Sequence, residues 1–374
     1  MKRLIPTLGF ALAAGGLAVT IALPASAGDA ALLNACFAPE TLAGVPGEEV
    51  AVKGNHIYDG LPKIDGFTAA AAVPDSLRGS IRRVDLPPGA KIIALTFDLC
   101  EQRGEVAGYD GRVIDYLRKE GIKATFFAGG KWMSSHRERT EQLMLDPLFE
   151  IGNHTETHRN LRLMTPDGAR QEILAPQKIY EDTRTHLAAN QCVASSNAAM
   201  SRIAEQPRLF RFPYGACNDA TLKAVNDAGM LAIQWDLSTG DPDPHVSATR
   251  IADAMVREAK PGSIVIGHAN GRGWHTFEAL PMAIPKLRAK GYKFVTVSEL
   301  LALGKPVISS ECYDRKPGDT NRYDFLGGLH HPLNSALPKT ANVALAPLPK
   351  ATKALTAPTR SSDSKAQKTE GTGN

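Results

Sequence analysis

Residues 91–100 read KIIALTFDLC. The apolar run from Ile92 to Phe97 predicts a strand buried on both faces. It ends on a carboxylate, Asp98, with Leu99 and Cys100 behind it. A buried carboxylate is costly unless something answers its charge, so the end of this strand is marked as a place where the chain does chemistry.

The same texture recurs on both sides of that strand. Short β-type runs at 91–98, 123–128, 149–153, 208–212, 230–236, 262–268 and 293–297 alternate with amphipathic stretches such as 111–120 and 249–259. This alternation predicts an α/β fold with a parallel sheet. Seven such units, with no dinucleotide-type glycine fingerprint after the first strand, favour a (β/α) barrel of about seven parallel strands over a doubly wound sheet.

The flanks differ in texture. Lys2 and Arg3 open the chain, an Ala-, Leu- and Gly-rich stretch follows, and Pro24-Ala25-Ser26-Ala27 supplies an A-x-A site. Residues 1–27 therefore read as a secretory signal and imply an exported protein, periplasmic or secreted. Residues 28–90 lack periodicity and are expected as an extended arm. Residues 91–302 form the barrel, and 303–333 are expected to pack on its outside. Residues 334–374 are mostly Ala, Pro, Thr, Ser and Lys without an aromatic residue, the composition of a disordered tail.

Losing the two basic residues of the signal takes the formal net charge from +4 to +2, which gives no ground for nucleic-acid binding. No later segment is apolar and long enough for stable membrane insertion. The five cysteines, Cys36, Cys100, Cys192, Cys217 and Cys312, are compatible with disulfides after export, but the odd number leaves one without an intrachain partner. The composition does not define an oligomeric state.

In a parallel barrel the active site lies at the carboxyl ends of the strands. Titratable groups gather there: Asp98 after the first run, His154 and His158 after the third, Arg211 and Tyr214 after the fourth, Asp236 and Asp241 after the fifth, and His268 after the sixth. The His154/His158 spacing puts both imidazoles on one face of a helical turn, suited to one divalent ion, zinc, cobalt or nickel before magnesium or calcium. Arg211 can hold a carboxylate through a charge-assisted hydrogen bond. Pro213-Tyr214-Gly215 is a turn that can aim the Tyr214 amide at an oxyanion. His268 suits proton transfer if a carboxylate orients it.

Thr96-Phe97-Asp98, His154-Thr155-x-x-His158, Arg211-x-Pro213-Tyr214-Gly215 and a late apolar strand ending in His268, in this order, resemble the polysaccharide deacetylase family (carbohydrate esterase family 4, with a NodB-type homology domain). The resemblance spans roughly residues 90–302. It implies a distorted barrel and metal-dependent removal of acetyl groups, most often N-acetyl, from a cell-wall, chitin-type or extracellular glycan. It further implies Asp98 as general base, Arg211 as its orienting partner and His154 and His158 as metal ligands. Tyr214 would be the oxyanion donor, and His268 the general acid oriented by Asp241. In the loop after His268, Trp274 is a candidate for stacking on a sugar, with Arg272 or His275 as a further contact to the glycan or the metal.

Two positions depart from the family pattern. Ser238 and Pro242 stand in the fourth motif where the family has an Asp and a Trp, which alters a wall of the groove. Leu99 stands where the family has a second Asp that ligates the metal. A two-histidine site completed by water or by Asp98 is the first expectation; Glu101 and Cys100 are the other candidates. A Cys100–Cys217 disulfide at the barrel mouth competes with the last of these, and a Cys36–Cys312 link between the flanks is a weaker expectation. The alternative to a deacetylase is a carbohydrate-binding relative that has lost turnover, with Leu99 as its chief support. No G-x-S-x-G or H-E-x-x-H motif is present to suggest a serine esterase or a metalloprotease. N-terminal sequencing of the exported protein is expected to give a start near Gly28.

Overall fold

The computed structural model describes residues 27–54, 61–194 and 197–330. The expected signal, apart from Ala27, and the expected tail at 334–374 lie outside them. All seven sequence-predicted runs form strands of one sheet. In chain order that sheet contains β1 (Ser80–Asp85), β2 (Ile92–Leu99), β3 (Ala124–Ala128), β4 (Phe149–Asn153) and β5 (Leu209–Phe210). It continues with β6 (Leu231–Ile233), β7 (Leu237–Ser238), β8 (Ile264–His268), β9 (Lys293–Val295) and β10 (Lys305–Ser309).

The strand order is β10-β1-β6-β5-β4-β3-β2-β8-β7, and β9 adds to the first half of β2. Every pairing is parallel except β10 on β1. The sheet curls into a distorted barrel; an antiparallel bridge from Arg83 to Ser263 links β1 to the approach to β8.

Strand β2 is its axis, and its side chains sort by parity. Ile93, Leu95, Phe97 and Leu99 belong to the large apolar layer between sheet and helices. Ile92 and Ala94 belong to the opposite, interior cluster with Phe127, Ile233 and Ile266. A strand alternates its faces with period two. Thr96 and Asp98 therefore follow Ala94 inward, and Leu99 follows Phe97 outward into the core, where it is wholly buried.

The flanks are more structured than their composition suggests. Residues 28–90, expected as an extended arm, carry the helix α1 (Ala27–Cys36) and contribute β1 to the sheet. Within 303–333, expected on the outside, β10 extends the sheet and Arg162 pairs with Asp324 at 2.5 Å. Period-two burial is hard to read in β1 because its pattern, SIRRVD, places one arginine, Arg82, at a buried position and the next, Arg83, at a half-buried one.

The cysteines pair differently from expectation. Cys36, at the end of α1, joins Cys192, and Cys217 joins Cys312. Cys100 is free and buried, so the Cys100–Cys217 and Cys36–Cys312 expectations are both overturned. The reason is placement: Cys217 follows the turn at Pro213–Gly215 and faces the C-terminal extension, whereas Cys100 sits just past β2. Peptide mapping without reductant is expected to recover these two links and one thiol, Cys100. Replacing both Cys217 and Cys312 by Ser opens a link across 95 residues and is expected to cost about 2–4 kcal/mol in urea unfolding.

Candidate active site

The carboxyl ends of β2, β4, β5 and β8 converge. Asp98 and His268 are register partners on adjacent strands. Asn153, which ends β4, is paired with Phe210 of β5. His154 and Arg211 are therefore the next residues beyond one rung of the sheet, and Arg211 N donates to Asn153 O at 2.8 Å.

Arg211 is fully buried and reaches across the barrel interior to Asp98. Its Nη1 donates to Asp98 Oδ1 and to Thr96 Oγ1, each at 2.8 Å, and Nε donates to the Ile233 carbonyl at 3.3 Å. The guanidinium also lies 4.0 Å over the ring of Phe127, a cation–π contact in a desolvated place. Burial by itself would raise the Asp98 pKa. The charge and hydrogen bond of Arg211 are the chief influences that outweigh it and hold the carboxyl below its usual range.

The two histidines do not lie on a helical turn. Residues 154–158 form a loop in which Thr155 and His158 take left-handed backbone, at φ 65° and 54°. Such conformations are costly for residues with a Cβ and persist only when the surroundings impose them. Here the helix α2 (Pro166–Ala189) imposes them. Pro176 inside that helix has no N–H to offer Glu172, and the Glu172 carbonyl instead accepts from Glu156 N at 3.0 Å. The Glu172 carboxyl accepts from Thr157 N and Thr157 Oγ1 at 2.7 and 2.5 Å. Asn153 Oδ1 takes Thr155 N at 2.9 Å, while its amide reaches Ile173 O and Gln177.

His154 Nδ1 lies 2.9 Å from the Arg211 carbonyl, an obligate acceptor, so this nitrogen carries the proton and Nε2 keeps its lone pair. That Nε2 is buried without a hydrogen-bond partner, as is Nδ1 of His158. Burial depresses both imidazole pKa values; for His158 the neighbouring His154 adds to the effect. Neutral imidazoles with unspent buried nitrogens, 5.0 Å apart between ring centroids, are the donor set a divalent ion takes. The Cys100 sulfur completes a group whose ligand atoms all lie within 4.8 Å of one another. Burial pushes the Cys100 thiol up to about 12.

Across the mouth, His268 Nδ1 is 3.0 Å from Asp241 Oδ1. Asp241 is itself fixed from several sides: Oδ1 accepts from Thr239 Oγ1 at 2.9 Å, and Oδ2 accepts from His268 N at 2.7 Å and Thr276 Oγ1 at 2.6 Å. Burial opposes the protonated imidazole, but the charge and hydrogen bond of Asp241 overcome it and raise the His268 pKa. The retained aspartate of the altered fourth motif is thus the one beside His268. Asp236 is not: it accepts from Ser263 Oγ and Ile264 N at the opposite end of β8.

Tyr214 has φ 60° and Gly215 φ 62°. A Cβ on Gly215 would stand 2.8 Å from the ring of Trp235, so the turn needs glycine there. The Tyr214 ring packs between His158, at 4.6 Å, and Tyr323, at 5.2 Å.

Glu101 is drawn away from the histidines. It pairs with Lys131 and accepts from Ala107 N at 3.0 Å and Ser135 Oγ at 2.7 Å. In the loop after β8, Arg272 pairs with buried Glu105, Trp274 is 55% exposed and His275 stands just before the following helix without a side-chain hydrogen bond to its first turn. Three participants escaped sequence reading. Asn270 donates to the Cys100 carbonyl at 2.6 Å and to its sulfur at 3.1 Å; it stands two residues past His268, which was a usable signal. Thr239 and Thr276 had no signal beyond proximity to Asp241 in space.

Residues 85–233 match the polysaccharide deacetylase family. A peptidoglycan-N-acetylglucosamine deacetylase of Bacillus cereus is 32% identical over 219 residues, which cover 58% of this chain and 91% of that one. A solved peptidoglycan N-acetylglucosamine deacetylase in complex with 4-naphthalen-1-yl-N-oxidanyl-benzamide superposes with a TM-score of 0.50 at 25% identity, covering 62% of this chain and 99% of that one. A carbohydrate esterase family 4 pseudoenzyme from Bacillus anthracis has a TM-score of 0.49 at 27% identity, covering 60% and 69%. The chain belongs to the polysaccharide deacetylase family, and with it to the hydrolases.

Arg211→Met leaves Asp98 buried without its counter-charge. Urea unfolding at pH 7 is expected to show a loss of about 3–5 kcal/mol. In the native chain the Asp98 pKa is depressed, so the stability it contributes is present above the ordinary carboxylate range and lost as pH falls through the depressed value. In the variant the largest influence opposing burial is gone and that pKa rises, so the deficit should narrow as pH is lowered.

Proposed function

We propose that this protein is an exported, metal-dependent deacetylase that removes N-acetyl groups from amino sugars of a cell-wall or chitin-type glycan. The observation that carries the reading is the pairing of two opposed proton-transfer groups on adjacent strands. Arg211 favours the ionised form of Asp98, and Asp241 favours the protonated form of His268. Environments that push an acid and a base apart in pKa are what acid–base chemistry at one bond requires. The peptidoglycan N-acetylglucosamine activity named for the Bacillus cereus relative agrees with the substrate class. The basic start, the apolar stretch and the A-x-A site at Ala27 support export, as do two disulfides.

A divalent ion, zinc or cobalt by the softness of its imidazole donors, would be held by His154 and His158 and would supply Lewis acidity at the acetyl carbonyl. The remaining steps belong to the protein. Arg211 occupies Asp98 Oδ1, so Oδ2 is the oxygen that accepts a proton from the attacking water. The left-handed turn at Tyr214 offers its N–H to the oxygen that becomes negative as water adds. His268 has Nδ1 committed to Asp241, so Nε2 gives the proton to the departing nitrogen. The carbon–nitrogen bond breaks, acetate leaves, and the glycan keeps a free amine. Trp274, exposed beside Asp241 through its backbone contact of 3.2 Å, is the surface on which a sugar face would stack, with Arg272 and His275 flanking it.

Leu99, where the family carries an acidic ligand, favours one competing reading: a relative that binds glycan without turning it over. Acetate release from N-acetylglucosamine oligomers and from peptidoglycan, with and without chelator, separates the two. The expected result is chelator-sensitive release that Asp98→Asn lowers by roughly 10²–10⁴-fold while bound metal is retained. Glycan binding without acetate release from either substrate would overturn the deacetylase reading.

A further inference from the structure

Leu99 removes a carboxylate from the place where a third metal ligand is needed, yet the structure brings a different donor to that place. Parity along β2 explains how. Leu99 is turned into the outer apolar layer with Ile93, Leu95 and Phe97. The next residue returns to the face of Asp98, and the Cys100 sulfur there lies within 4.8 Å of the ligand nitrogens of His154 and His158. We propose that the Cys100 thiolate is the third protein ligand, so that the ion is held by two imidazoles and one sulfur while Asp98 stays free as a base. The proposal rests on the metal-dependent reading above.

A lone buried cysteine is ordinarily a small apolar residue, and four features set this one apart. Its neighbours His154 Nε2 and His158 Nδ1 are buried nitrogens with no hydrogen-bond partner. The Asn270 amide, wholly buried, donates to its sulfur at 3.1 Å and to its carbonyl at 2.6 Å. Donors placed on a ligand sulfur orient it and temper its charge. The other four cysteines are consumed in disulfides. Of the competing donors, Glu101 is engaged with Lys131, Ser135 and Ala107; Asp98 has Oδ1 on Arg211 and Oδ2 3.5 Å from His154 Nε2, but it is Cys100 that lies within reach of both histidines.

The exchange of carboxylate for thiolate leaves the ligand charge unchanged and alters its softness. Two histidines and a cysteine with an open position form a known catalytic zinc arrangement. Sulfur shifts preference toward zinc and cobalt and away from magnesium, calcium and manganese.

The test is the absorption spectrum of the full mature chain loaded with cobalt(II). A near-ultraviolet thiolate-to-cobalt charge-transfer band is expected in the native protein. It should persist in Asp98→Asn and vanish in Cys100→Ser, with zinc affinity in the latter reduced tenfold or more. Cys100→Asp restores an oxygen donor and is expected to bind cobalt without the band. The native spectrum decides the matter even if a variant fails to fold. Stoichiometric cobalt binding that His154→Ala abolishes, but with no charge-transfer band, would overturn the cysteine ligand and leave the metal-dependent reading standing. Failure of the native chain to bind cobalt, or binding indifferent to His154→Ala, would overturn both.

Discussion

The buried pair between Asp98 and Arg211 is the constraint around which the barrel is arranged. Taking both charges out of water costs several kcal/mol per ion before any attraction is counted. The interior answers that cost with Thr96, the Ile233 carbonyl and the face of Phe127, all directed at the guanidinium. None of these contacts is local in sequence. Strands β2, β3, β5 and β6 must all be in register for Arg211 to meet them together. The pair thus couples closure of the sheet to the ionisation of one carboxylate. A fold that failed to close would hold a charged group in apolar surroundings.

Strain at the mouth depends on this closed frame. Thr155, His158 and Tyr214 are the non-glycine residues with positive φ among those described, and they stand around one small volume. Each is fixed from behind rather than from the mouth. The histidine loop hangs on Glu172, whose carbonyl is released by Pro176 and whose carboxyl holds Thr157. The tyrosine turn is wedged by Trp235 under Gly215 and followed by the Cys217–Cys312 link. The imidazole nitrogens at the mouth keep unspent lone pairs while the backbone that carries them is held from behind by Asn153 and Glu172, which is the condition for a pre-organised site.

The fourth motif illustrates how a local geometry is kept while a pattern is altered. Ser238 and Pro242 change its appearance, but Asp241 retains five hydrogen-bonding relations to Thr239, Thr276 and His268. What is constrained is the orientation of one imidazole. The residues around it can vary as long as the carboxylate is held from both oxygens.

The sequence by itself determined the alternation of strands and helices, all seven principal strands, and the end of the sheet at which Asp98, His154, Arg211 and His268 would gather. These follow from periodicity and from the geometry of parallel sheets, both local properties. It also marked Leu99 as a gap in an otherwise acidic pattern. Only the tertiary structure brings Cys100 beside His154 and His158, because that depends on which face of β2 each residue takes and on where Asn270 arrives from a distant loop. The cysteine pairing was likewise out of reach: Cys36 and Cys192 lie 156 residues apart, and no local pattern encodes which of five thiols approach one another. The same holds for Tyr323 beside Tyr214 and for β1 inside the sheet. Their positions are set by long-range packing, and packing is a property of surfaces brought together by the whole chain rather than of any stretch within it.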